Sequence, residues 1–249
     1  MRPLILLCND DGQARRGIRT LRQALLTIAD VIIVAPEVEQ SAASHALSLH
    51  RPLRVRRVEE GIYGVDGTPA DCVYVALFHS KLMPRRPDLV VSGINHGLNL
   101  GQDVFYSGTV AAAREGAMRG IPALALSAHG KADFEKTAAL GCRFAQSLLV
   151  MPKGKSSLLL NVNVPLDWNG GIRAARLGTR TYDEVLDERI DPRGREYLWL
   201  GGSGVRHTPD PGSDTDAHDQ GYASVTPLIL DLTAQPELPL VEHLVKTLP

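Results

Sequence analysis

The chain has 249 residues, 44% hydrophobic and 22% charged, with a formal net charge of −1. That length can bury one large α/β domain or two smaller ones, and so even a charge balance gives no case for a nucleic-acid polymer or a membrane surface as partner. The first apolar run is too short for a signal peptide, no window approaches a membrane span, and the three scattered cysteines (Cys8, Cys72, Cys142) read as buried thiols of a reducing compartment, so a cytoplasmic location is expected.

Leu4–Cys8 is a short apolar run that stops at Asn9-Asp10-Asp11-Gly12. Such a run, closed by a glycine turn, predicts a buried parallel strand. The carboxyl end of that strand is where open α/β sheets bind ligands. Two adjacent acids there suit a hard cation, and equally a turn whose acids cap the next helix. Ile18, Leu21, Leu25 and Ile28 recur at helical spacing and predict a helix over Gly17–Ala29. Val31–Ala35 is a second buried strand, parallel to the first through a right-handed crossover. The polar stretch Glu37–His50, with Ser41, Ser44 and Ser48, is longer than compact domains usually carry, a mark of function.

Leu53–Val58 and Ile62–Val65 predict a hairpin, and Thr68-Pro69-Ala70-Asp71 opens a capped helix. Leu89–Val91 is a short strand before the Gly/Asn-rich loop Gly93–Tyr106, and a small-residue helix starts near Thr109. Ala123–Ser127 and Leu158–Val164 are strands on either side of a long helix, Ala132–Val150. Past Pro165 glycine, proline and charge increase, and Ile172–Leu177 and Tyr197–Leu200 read as hairpin strands. Tyr222–Leu232 is strand-like, and Glu237–Leu248 is a short helix with an apolar stripe at Leu240, Val241, Leu244, Val245 and Leu248. The expectation is a single domain over residues 1–249: a parallel α/β core to about residue 165, then a hairpin-rich extension over 166–249.

Four polar stretches follow proposed strands and can converge at one sheet edge: Asn9–Arg16, Gln40–His50, Ser92–Tyr106 and Ser107-Gly108-Thr109. Asp10 and Asp11 supply charge, while Ser41 and Asn95 add neutral oxygens, a set suited to Mg²⁺ or Mn²⁺. Zinc would recruit histidine or thiolate, and His45 and His96 do lie in these loops. Ser107-Gly108-Thr109, ahead of a helix, is either an anion site of hydroxyls and free amides or a plain N-cap. A divalent cation beside a phosphate site is the equipment for phosphoryl hydrolysis. Gly154-Lys155-Ser156 is no P-loop, because Leu149 stands where its leading glycine belongs, and no G-x-G-x-x-G follows the first strand.

NDDG near the start, AP-x(4)-S-x-A-S, GTPADCV and the block VVSGIN-x-G-x-NLG-x-DV-x-YSGTVAAA together resemble the SurE family of survival-protein phosphatases, as do the later DPRG and GYASVTPL segments. The resemblance implies a 5′-nucleotidase that hydrolyses nucleoside 5′- and 3′-monophosphates, with one divalent ion, Mg²⁺ or Mn²⁺, per subunit. By that similarity Asp10, Asp11, Ser41 and Asn95 are metal ligands, and Asn99, Ser107, Gly108 and Thr109 bind the substrate phosphate. Asp10, Asn99 and Ser107 then carry the chemistry. The implied fold is a Rossmann-like parallel sheet flanked by helices, with C-terminal segments exchanged in a homodimer or homotetramer. Arg15-Arg16, His45 and His96 depart from the family pattern. The alternatives are a broad-specificity phosphatase or exopolyphosphatase, and a non-catalytic nucleotide-binding module, against which the paired acids argue.

Overall fold

The computed structural model describes residues 2–151, 158–182, 186–200 and 204–248; the Gly154-Lys155-Ser156 run lies outside them. The chain runs β1 (Leu4–Cys8), α1 (Arg16–Leu25), β2 (Asp30–Pro36), β3 (Val55–Glu59), β4 (Ile62–Val65), α2 (Pro69–Phe78), β5 (Leu89–His96), α3 (Gly108–Met118), β6 (Ala123–Ala128), α4 (Phe134–Val150) and β7 (Leu159–Val164). Beyond these come β8 (Ile172–Ala174), β9 (Arg180–Tyr182), β10 (Leu186–Ile190), β11 (Glu196–Leu200), β12 (Val205–His207), α5 (Asp214–Asp219), β13 (Ala223–Leu228) and α6 (Leu238–Thr247).

Nine strands make one mixed, mostly parallel sheet in the order β3-β4-β2-β1-β5-β6-β7-β13-β8. All five residues of β1 are buried, which a strand without alternation requires: both of its faces must be covered. α1 packs with α4 and α2 packs with α3, and between them the two pairs sandwich the sheet. β1 pairs in parallel with β2 on one side and β5 on the other. The strand order therefore reverses beside β1, so the loops after β1 and β5 part there and leave a crevice.

The strand at Leu89 runs on to His96, with an irregularity between Gly93 and Asn95. The loop expected from Gly93 accordingly starts later, and Asn95 stands at the sheet's edge. The hairpins at β3–β4 and β10–β11 form as expected. Ile172–Leu177 does not: only Ile172–Ala174 is strand, and it pairs in parallel with β13. β13 itself lies antiparallel to β7, so the sheet continues past residue 165.

α5 was not anticipated. Its signal is local, since the Ser213 side chain caps it by accepting from the Asp216 amide. Within it the buried Asp214 accepts from the amides of Gly101 (2.9 Å) and Gly178 (2.8 Å), which ties the extension to the loop after β5. α6 buries none of its residues.

Candidate active site

The crevice holds a cavity of about 1010 Å³ whose lining includes Asp10, Asp11, Ser41, Asn95, Asn99 and Ser107. Six residues singled out by sequence, from four separate stretches, thus meet at the carboxyl edge of the sheet. Gly108 and Thr109 lie behind them rather than in the lining.

Asp10 and Asp11 leave the end of β1, and Gly12, at φ +108°, turns the chain back beneath them. Burial pushes the Asp10 carboxyl up to about 6; the Thr109 hydrogen bonds oppose that and the charge of Asp11 adds to it. Asp11 is also raised, by burial first and by Glu39 nearby, against the pull of the His96 amide, which donates to it at 3.2 Å. Two desolvated carboxylates side by side repel and are poorly solvated. That is an environment a divalent cation relieves.

The neutral oxygens are set up for the same ion. Ser41 donates its hydroxyl proton to Glu39 at 2.7 Å, which leaves its oxygen lone pairs for a cation. Asn95 spends its Nδ2 on the Gly97 carbonyl at 2.9 Å, which leaves Oδ1 as a ligand. Among the described residues no three His, Cys, Asp or Glu side chains form a metal-holding group. Two carboxylates and two neutral oxygens could hold a cation here, and that donor set suits Mg²⁺ or Mn²⁺.

The Ser41 stretch is fixed from several sides. The Gln40 amide donates to the Asp10 carbonyl, and Ser44 bonds Tyr106 O and Phe105 O. His45 is not in the cavity: its Nε2 meets the buried carboxylate of Glu115 on α3 at 2.9 Å. Ala42 and Ser44 both sit at positive φ, 56° and 52°, a conformation these residues resist.

Ser107 caps α3 by accepting from the Val110 amide at 3.0 Å. Because that bond uses its oxygen as acceptor, its hydroxyl proton stays available to an anion, so the N-cap and anion readings hold together. The Gly108 amide, at the first helical position, has no carbonyl of its own helix to meet. A Cβ on Gly108 would stand 2.8 Å from Asp10 Cβ and 3.1 Å from its Oδ2. The Thr109 hydroxyl donates to Asp10; its place is behind the carboxylate.

Sequence reasoning missed Glu39, which lines the cavity, holds Ser41 and pairs with Arg15 at 3.2 Å. It missed Asn161 and Asn163 as well, whose signal is polar residues two apart in an otherwise apolar strand, LLNVNV. Arg15, Arg16 and His96 also line the cavity, with Arg16 paired to Glu135 and His96 bonded to the Gly130 carbonyl.

A family model described as survival protein SurE matches residues 5–184. A "5′-nucleotidase SurE" of Sorangium cellulosum (strain So ce56) is 57% identical over 238 residues, 94% of this chain and 92% of that protein. One of the same name from Vibrio vulnificus (strain CMCP6) is 49% identical over 237 residues, 94% of this chain and 92% of its own. The crystal structure of the SurE protein from Aquifex aeolicus superposes with a TM-score of 0.83 at 39% identity, covering 97% of this chain and 99% of that one.

Proposed function

The chain belongs to the SurE family, and we propose that it is a divalent-metal-dependent 5′-nucleotidase that releases phosphate from nucleoside 5′- and 3′-monophosphates. One observation carries the reading: a buried carboxylate beside a half-buried one, two neutral oxygen donors and a hydroxyl-bearing helix start line one cavity at the switch point of the sheet.

Asp10, Asp11, Ser41 and Asn95 would hold one Mg²⁺ or Mn²⁺ per subunit. When bound, the ion supplies Lewis-acid polarisation of the phosphoryl group and a nucleophile at neutral pH. The protein's own groups then do the rest. Thr109 holds the Asp10 carboxylate in place through its hydroxyl, so that Asp10 can orient a water and take its proton. Asn99, the Ser107 hydroxyl and the Gly108 amide donate to the phosphate oxygens, where charge builds in the transition state.

Assembly as a homodimer or homotetramer with exchanged C-terminal segments accords with the apolar side chains that the extension leaves exposed, among them Trp199 and Leu200 on β11 and Leu240, Leu244 and Leu248 at the terminal helix. A cytoplasmic location accords with three unpaired cysteines. Inorganic phosphate release from AMP, with Mn²⁺ and again with EDTA, tests the reaction. Asp10→Asn should abolish the metal-dependent activity while the protein stays folded; a fully active variant would overturn the assignment.

A further inference from the structure

Asn99 is held by the sheet beneath it more than by its own loop. Its amide donates to Asn163 Oδ1 at 2.7 Å. Its carbonyl accepts from Asn161 Nδ2 at 2.8 Å and from Asn163 Nδ2 at 3.1 Å. Its side-chain Nδ2 donates to Ser127 Oγ at 2.9 Å. Ser127 on β6 stands opposite Asn163 on β7 in the sheet register, and Asn161, two residues back, points to the same face.

All three supporting side chains are buried, where the strand would otherwise take apolar residues. A buried carboxamide is costly unless its hydrogen bonds are made. Among the described residues Asn161 Oδ1 has no partner, so Asn161 sits there with its carbonyl oxygen unmet, and its one side-chain bond is the one to Asn99. After these contacts Asn99 keeps one Nδ2 hydrogen and Oδ1 for the cavity it lines.

We propose that Asn161 and Asn163 are positioning residues for the phosphate site: they fix the backbone of Asn99 on both its polar groups and so aim its carboxamide, with Ser127 setting the rotamer. The proposal rests on the reading above that Asn99 contacts the substrate phosphate. A donor displaced by about 1 Å can cost on the order of a hundredfold in rate.

The test is a double-mutant cycle with an independent spectroscopic readout. Asn163→Ala is made in the wild-type and Asn99→Ala backgrounds, with Asn161→Ala as the milder alternative should the first fail to fold. Expected is a loss in kcat/KM on AMP of tens to about a hundredfold in the wild-type background, and of no more than about twofold when Asn99 is already alanine. The Asn99 side-chain NH₂ resonance should shift or broaden in Asn163→Ala. Equal losses in both backgrounds, or an unmoved Asn99 resonance, would overturn the proposal. Should the wild type release no phosphate from any nucleoside monophosphate, the substrate reading falls, and the Asn99 resonance still decides whether the clamp exists.

Discussion

Replacing Glu115 by glutamine should destabilise the protein by about 3 kcal/mol at neutral pH and loosen the Ser41 stretch. The Glu115 side chain is 2% exposed and accepts from His45 Nε2 at 2.9 Å and from Arg119 Nε and Nη2 at 3.0 and 2.9 Å. An ionised carboxylate only accepts, so the imidazole nitrogen is the donor. Arg119 is 36% exposed, so solvent screens its fork and we assign it about 1 kcal/mol. The shielded His45 contact, a hydrogen bond to a charge, is worth about 2 kcal/mol. Burial alone would raise the Glu115 carboxyl, but the His45 and Arg119 bonds outweigh it and hold the group below its ordinary value. A depressed folded value means that the stabilisation is complete above the unfolded pKa of about 4.3 and is lost as pH falls through the folded one. Urea melts of wild type and Glu115→Gln should therefore differ by a constant amount from pH 7 to about pH 5, and the gap should close below that. Hydrogen exchange at the Ser44 amide, which donates to Tyr106 O, should quicken in the variant. A gap under about 1 kcal/mol at pH 7, or one that does not close toward acid, would refute the reasoning.

Gly108→Ala would push a methyl against Asp10 Cβ at 2.8 Å and Pro69 Cγ at 3.0 Å; activity should fall by on the order of a hundredfold and Tm should fall as well, measured by phosphate release beside a thermal melt. Light scattering on the full-length protein at low micromolar concentration should give a dimer or tetramer mass, and truncation at about Pro236 should weaken assembly; a clean monomer mass would refute the exchanged-segment proposal.

The α/β core was legible because its strands are short unbroken apolar runs, and such runs have few solutions besides a covered parallel sheet. The capped helix at Thr68 was legible for a different reason: cap, proline and acid stand at fixed offsets, and the structure shows the full reciprocal box between Thr68 and Asp71. The site was legible where charge sat against its surroundings, as at Asp10-Asp11. What failed was long-range. Nothing local says that Ile172–Ala174 pairs with a strand some fifty residues later, because a parallel edge and a hairpin arm have the same composition. That the Thr109 hydroxyl turns back to Asp10 is equally invisible locally, because it depends on how α3 docks against β1.

These two long-range features share a cause, and it bears on how the site works. Several residues of the proposed phosphate and metal sets are held from distant parts of the chain: Asp10 by Thr109, Asp11 by the His96 amide, Asn99 by Asn161 and Asn163, and the loop after Asn99 by Asp214 at Gly101, whereas Ser41 is held by its near neighbour Glu39. The residues that meet a ligand sit in recognisable motifs because ligand chemistry restricts them to a few types. Their supports need only reach, so type and spacing leave a weaker trace, such as two asparagines in an apolar strand. Burial then makes these supports matter. With Asp10 already pushed up to about 6 by desolvation, losing the Thr109 bond would favour the protonated acid further, and a protonated Asp10 is a poorer ligand for a cation.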